Sequence, residues 1–274
     1  IDFKSHIKIE SQLSYMAALT KQLLKDINAH ERDAHIKFQE KGHKYFIHGK
    51  TGFTSVTTLV HQAFEKFNAD KIIDKMMASP KWPDSPYFGK TKPEIKKQWK
   101  DNGQEAAKMG TAMHEMFEYH YNGIFPEKIE AYKDTTEYAY FKDFIRDHPE
   151  LVPYRTEWNV YHEDYKWSGS IDFVVENEDG TLSILDWKRC KKIEKSNNFG
   201  KRCLVKGLSH IHDSNYWHYC LQLNLYKLML EKKYDKIVKD LHLVVIHPDN
   251  ESQTYEKILV PILPENDLLC LIKE

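Results

Sequence analysis

Between Thr156 and Lys188 the chain sets out three short runs with strand character: Thr156–His162, Trp167–Glu176 and Leu182–Lys188. Asp179-Gly180 supplies a tight turn between the last two, so they read as a hairpin. Side chains alternate along a strand. Asp186 and Lys188 therefore share one face of the third run while Trp187 points to the other, and the hairpin partner can set Asp172 beside them. Two carboxylates converging next to an ammonium suit a divalent cation and a hydrolytic water, the combination that phosphodiester cleavage needs.

An Asp-x-Lys tripeptide alone would mean little in a chain with 40 basic and 41 acidic residues. Glu94-Ile95-Lys96 and Glu231-Lys232-Lys233 fit the same loose pattern but sit in polar, helix-like stretches, and Asp164-Tyr165-Lys166 follows a turn. Asp186 differs because it closes the apolar run Leu182-Ser183-Ile184-Leu185 behind a second acid-bearing strand. A strand-end salt bridge with Lys188 is the plain alternative.

Two flanking patterns weigh against that alternative. Upstream, Gly110-Thr111-Ala112-Met113-His114 lies in a helical stretch, with His114 and Glu118 one turn apart. Downstream, Gln222 and Tyr226 are one turn apart on an apolar helix. The ordered set Gly-Thr-x-x-His114, Glu157, Gly169-Ser-Ile-Asp172, Asp186-Trp-Lys188 and Gln222-x-x-x-Tyr226 resembles the RecB-type branch of the PD-(D/E)XK nuclease superfamily. Lambda-type exonucleases, CRISPR-associated adaptation nucleases and mitochondrial genome maintenance exonucleases belong to that branch. The resemblance spans about residues 105 to 230, and the ordered combination is far more specific than any one element.

The resemblance implies a restriction-endonuclease-like core: an α/β fold at the α+β border, with a central mixed sheet flanked by helices. It also implies roles. Asp172, Asp186, the Trp187 carbonyl and His114 become metal ligands for Mg2+ or Mn2+. Lys188 stabilises the phosphoryl transition state, Glu157 is the acid on the first strand, and Gln222 and Tyr226 contact the scissile phosphate. Glu118 is a further carboxylate near the site; it and Glu157 could equally be salt-bridge partners. Some relatives carry an iron–sulfur cluster with one cysteine upstream of the histidine motif. Here the cysteines are Cys190, Cys203, Cys220 and Cys270, so no such cluster is expected, and reduced thiols of an intracellular, non-secreted protein are.

Hydrophobic content of 41% with 30% charged residues of both signs describes a globular chain able to bury a full core across its 274 residues. No apolar stretch approaches the roughly 20 residues a membrane helix needs. A net charge of −1 excludes a polycationic surface built for unspecific duplex binding. The basic run from Lys188 to Lys206 is the local exception. Its Lys191, Lys192, Lys201 and Arg202 are expected either to contact a nucleic-acid backbone or to form a solvated loop.

Further expectations concern organisation. Residues 1–104 read as an N-terminal helical region with a small hairpin, and 105–274 as the nuclease core. Helical spacing covers Ile9 to Ala29; His35–Gln39 and His43–His48 form the hairpin; Ser55 and Asn68 cap helices. Helices are also expected from Pro93 to Tyr121, Thr136 to Asp147, Asn215 to Lys232 and Pro264 to Lys273, and strands at Leu241–His247 and Tyr255–Val260. Ser79–Lys92 reads as a lid or linker, with Trp82, Tyr87 and Phe88 either stacking on bases or packing under the helices. The chain opens at Ile1 without a methionine, which suggests a piece of a longer or trimmed polypeptide. The expected activity is trimming of single-stranded DNA ends. The alternatives are an RNA endonuclease with the same metal core, or a nucleic-acid-binding module without catalysis.

Overall fold

The computed structural model describes residues 22–197 and 199–272. The expected first helix lies mostly outside them; within them only α1 (Leu24–Ile27) is helical. The hairpin forms as β1 (Ile36–Gln39) and β2 (Lys44–Ile47), paired antiparallel as a separate two-stranded sheet. Next come β3 (Thr54–Ser55), α2 (Val56–Gln62) and α3 (Ala69–Met77). Ser55 caps α2 by accepting the Thr58 N–H, and Asn68 caps α3 by accepting that of Lys71. The Ser79–Lys92 segment carries a short 3-10 turn, and its rings pack together: Trp82 on Phe88 at 6.0 Å and Tyr87 on Trp99 at 5.9 Å.

Thr91 and Glu94 form a capping box that opens α4 (Lys92–Asn122), and Gly123, with φ +59°, ends it. The expected boundary at residue 104 falls inside this helix. After α5 (Pro126–Glu130) and α6 (Thr136–Asp147) come β4 (Val152–His162), β5 (Trp167–Glu176) and β6 (Leu182–Lys188). The chain then forms α7 (Asn215–Lys233), β7 (Val238–Val245), β8 (Glu256–Val260) and α8 (Glu265–Leu269). β4 begins four residues before the expected start because Pro153, which argues against a strand, sits where the ladder shifts register. β7 begins three residues early, and α8 stops at Leu269.

The main sheet runs β3-β5-β6-β7-β8, with β4 on the other side of β5. It is mixed: β6 pairs parallel to β7 through the α7 crossover, while the β4–β5, β5–β6 and β7–β8 ladders are antiparallel. Helices cover both faces. One face packs Leu182, Ile184, Leu241 and Leu243 against α2 and α7. The other packs Phe173, Leu185, Trp187 and Val244 against α4 and α6. Alternation along β6 thus feeds two cores from one strand. The N-terminal turn is tied to the sheet by Asp33, which accepts from Arg155 Nη1 at 2.7 Å and Trp158 Nε1 at 2.9 Å.

His242 on β7 gives the sheet a pH response. Burial, helped by Lys257, pushes its pKa from 6.5 down to about 4. The unfolded chain binds this proton below pH 6.5 and the folded protein not until about pH 4, so stability falls as pH drops through that window. His242→Leu should flatten the decline in melting temperature between pH 7 and 4; an unchanged slope would assign the acid sensitivity elsewhere.

Candidate active site at the β5–β6 fork

β5 and β6 pair from Glu176↔Leu182 to Phe173↔Leu185 and then part. The next residues on each strand are Asp172 and Asp186. Where the ladder stops, the Trp187 N–H donates to Asp172 Oδ2 at 3.0 Å, so a carboxylate replaces a strand carbonyl. Asp186 is 1% exposed. Its Oδ2 lies 2.6 Å from Lys188 Nζ, and its Oδ1 accepts from Gln222 Nε2 at 3.1 Å. The Lys188 ammonium also sits 4.7 Å from the Tyr219 ring centre. Trp187 turns the other way, with its ring 4.8 Å from Phe117 and 5.1 Å from Phe144.

Glu157 comes from β4, where the flanking pairs Thr156↔Phe173 and Trp158↔Ile171 put it opposite Asp172. Its φ is +43°, left-handed for a residue with a side chain. Such a conformation costs on the order of 1–3 kcal/mol and is commonest at functional sites. Ser170 Oγ donates to Glu157 Oε2 at 2.9 Å. His114 reaches in from α4: Nδ1 is 3.5 Å from Glu157 Oε1 and 3.7 Å from Asp172 Oδ2, and Nε2 is 3.1 Å from the Trp187 carbonyl.

His114, Glu157 and Asp172 offer ligand atoms that all lie within 4.8 Å of one another. Asp186 stands outside this group, held by Lys188 and Gln222. Burial raises the Asp172 carboxyl despite His114 and Lys188, and raises Asp186 to about 7. Burial also opposes the His114 imidazolium, but Asp172 and Glu157 outweigh it and lift His114 to about 9. Crowded acids that retain a proton through a neighbouring imidazole fit a divalent cation, which would displace that proton. An added divalent cation, manganese for instance, should therefore raise the melting temperature of the wild type, and His114→Ala should remove most of that gain. An equal gain in the variant would return His114 to a structural role.

The α7 helix aligns Gln222 with Asp186 and Tyr226 with β5. Tyr226 is 3% exposed and lies so close to Gly169 that a β-carbon there would meet its Cε1 at 2.6 Å and its hydroxyl at 2.7 Å. Gly169→Ala should therefore displace Tyr226 and cost about 1–3 kcal/mol, read as a lowered melting temperature. Unchanged stability and activity would show that the ring can move aside freely.

The four basic-loop residues all have partners. Lys191 pairs with Asp249, Lys192 with Glu194 at 3.1 Å and Lys201 with Glu65 at 3.1 Å, while Arg202 Nη1 donates to the His210 carbonyl at 2.7 Å. Sequence reasoning placed the hairpin but missed its part in the site. A cavity of about 710 Å³ beside His114 and Glu157 is lined by Phe38, His43 and Tyr45 from the hairpin and by His114, Glu157 and Ser170 from the core. The available signal was the cross-strand pair Phe38↔Tyr45, two aromatics on one hairpin face.

No described helix is long and apolar enough to cross a membrane, and Cys190, Cys203, Cys220 and Cys270 are free thiols. Among solved structures, the chain is similar to the protein SSO0001 at 14% identity, covering 61% of this chain and 67% of that one with a TM-score of 0.26. It is also similar to a Eubacterium rectale protein whose name includes the word exonuclease, at 12% identity, 51% and 59% coverage and a TM-score of 0.26. No curated protein matches. The family model of the PD-(D/E)XK nuclease superfamily matches residues 55–269, which takes in the His114 helix, the carboxylate fork and the Gln222 helix. On that match the chain belongs to the PD-(D/E)XK nuclease superfamily.

Proposed function

We propose that this nuclease is a Mg2+- or Mn2+-dependent deoxyribonuclease that shortens single-stranded DNA from a free end. The observation that carries the reading is the convergence of His114, Glu157 and Asp172 beside the Asp186–Lys188 pair. Carboxylate oxygens with one imidazole suit these cations. Once bound, such a cation supplies a water of lowered pKa and neutralises charge developing on the phosphate.

The chain's own residues do the rest. Burial opposes the charged Lys188 amine, but Asp186 and Asp172 outweigh it and keep it above its ordinary pKa. Lys188 is thus a fixed cation, able to stabilise the phosphoryl transition state without exchanging its proton. Gln222 orients Asp186, and Tyr226 packs against Gly169 so that the Asp172 strand keeps its place. The Trp187 N–H holds Asp172 Oδ2 and leaves Oδ1 for other partners.

Purified protein with manganese or magnesium should degrade linear single-stranded DNA much faster than a circle of the same sequence. Duplex should resist unless its ends fray, and matched RNA should be a poorer substrate. Circles cut as fast as linear strands would make the protein an endonuclease, and preference for RNA would replace the DNA reading.

A further inference from the structure

We propose that the β1–β2 hairpin is a base-stacking wall: Phe38 and His43 hold the nucleobase next to the phosphate being cleaved. The inference rests on the nuclease reading and adds a subsite to it. The hairpin's inner face carries Ile36, Phe38, Tyr45 and Ile47, two cross-strand pairs. Ile36 and Ile47 at its base pack with Phe53 and Tyr161, which anchors the unit. At the tip, Phe38 lies 4.8 Å from Tyr45 and 4.9 Å edge-on to His43, and all three rings line the cavity that His114 and Glu157 also line. Tyr45 is buried; Phe38 is half-buried and His43 exposed, so the two outer rings keep free surface toward the cavity.

Charge says which part of a substrate this cavity takes. Glu40, Glu115 and Glu118, none of them in the proposed metal group, stand on its wall. These acids repel phosphates, whereas the Lys188 ammonium, paired with Asp186, is outside the cavity lining, so the backbone is drawn toward Lys188 and the uncharged bases turn toward the rings. A cavity of about 710 Å³ falls within the ordinary range for a bound small group. Stacking on aromatic faces tolerates any base and requires it to be unpaired, which agrees with a single-stranded substrate.

The test uses single-stranded oligonucleotides with one abasic residue placed at successive positions, and reads kcat/KM for each. With the wild type, an abasic residue at one position near the cleaved bond should lower kcat/KM by roughly tenfold. Phe38→Ala and His43→Ala should lower kcat/KM on the intact strand by a similar factor and lose that discrimination, and Phe38→Trp should keep it. His43 is exposed, so its variant separates stacking from folding of the hairpin. Indifference of the wild type to every abasic position, or undiminished discrimination in both alanine variants, overturns the wall. If no nucleic acid is cleaved, the hydrolytic reading fails, and fluorescence anisotropy of the intact and abasic strands still decides the stacking site: equal affinity refutes it.

Discussion

Asp172→Asn, Asp186→Asn and Lys188→Met should each lower single-turnover hydrolysis of a labelled DNA strand by roughly a hundred- to a thousandfold, the scale lost with one preorganised electrostatic group. Their effects on stability should differ in sign, because the groups are held differently. Asp172 is a buried carboxyl facing Glu157, and burial raises its pKa. Neutralising it should stabilise the metal-free protein, as is common where a strained functional site is relieved. Lys188→Met should instead leave Asp186, 1% exposed, without its 2.6 Å cation. Breaking a buried pair from one side costs about 3–5 kcal/mol. Melting curves and cleavage rates on the same preparations decide the matter. Full activity in Asp172→Asn removes the site from the fork, and equal destabilisation by all three changes would reduce the cluster to structural salt bridging.

Phe141→Ala should be the most destabilising substitution away from the site. Phe141 is fully buried, stacks on Phe117 at 3.9 Å and meets the Trp187 ring edge-on at 5.9 Å. It supports the rear of the strand whose front carries Asp186 and Lys188. Truncating a buried Phe costs about 3–5 kcal/mol, or roughly 6–20 °C in melting temperature for a chain of this size. Well below that transition, hydrolysis per folded molecule should fall far less than in Asp172→Asn. Loss of activity without loss of stability would mean that α6 takes a direct part in the chemistry.

The elements most legible in the sequence are those whose residues satisfy one another locally. β5 and β6 stand where alternation and the Asp179-Gly180 turn put them, and α6 begins and ends at Thr136 and Asp147 as its spacing requires. The caps at Ser55 and Asn68 were legible for the same reason, since donor and acceptor lie three residues apart. Boundaries moved where distant pairing overrides local preference. Pro153 argues against a strand, yet β4 passes through it at a register shift beside β5. β7 extends to Val238 because its polar start has a ladder with β6 to join.

The site divides along the same line. Residue types and alternation determined that Asp186 and Lys188 share a face, that Trp187 opposes them, and that Gln222 and Tyr226 lie one turn apart. Only the tertiary structure decided which acid joins which partner. Glu157 meets His114 and Asp172 through a left-handed residue in the middle of β4, while Asp186 is held by Gln222 and Lys188. Tertiary structure alone brings the β1–β2 hairpin beside His114 and Glu157, with Glu157 about a hundred residues further along the chain. The physical reason is range. Periodicity and capping act over a few residues and are written in neighbouring letters. Convergence of groups far apart in the chain depends on how the sheet twists and where its strands part, and no short stretch of sequence encodes either.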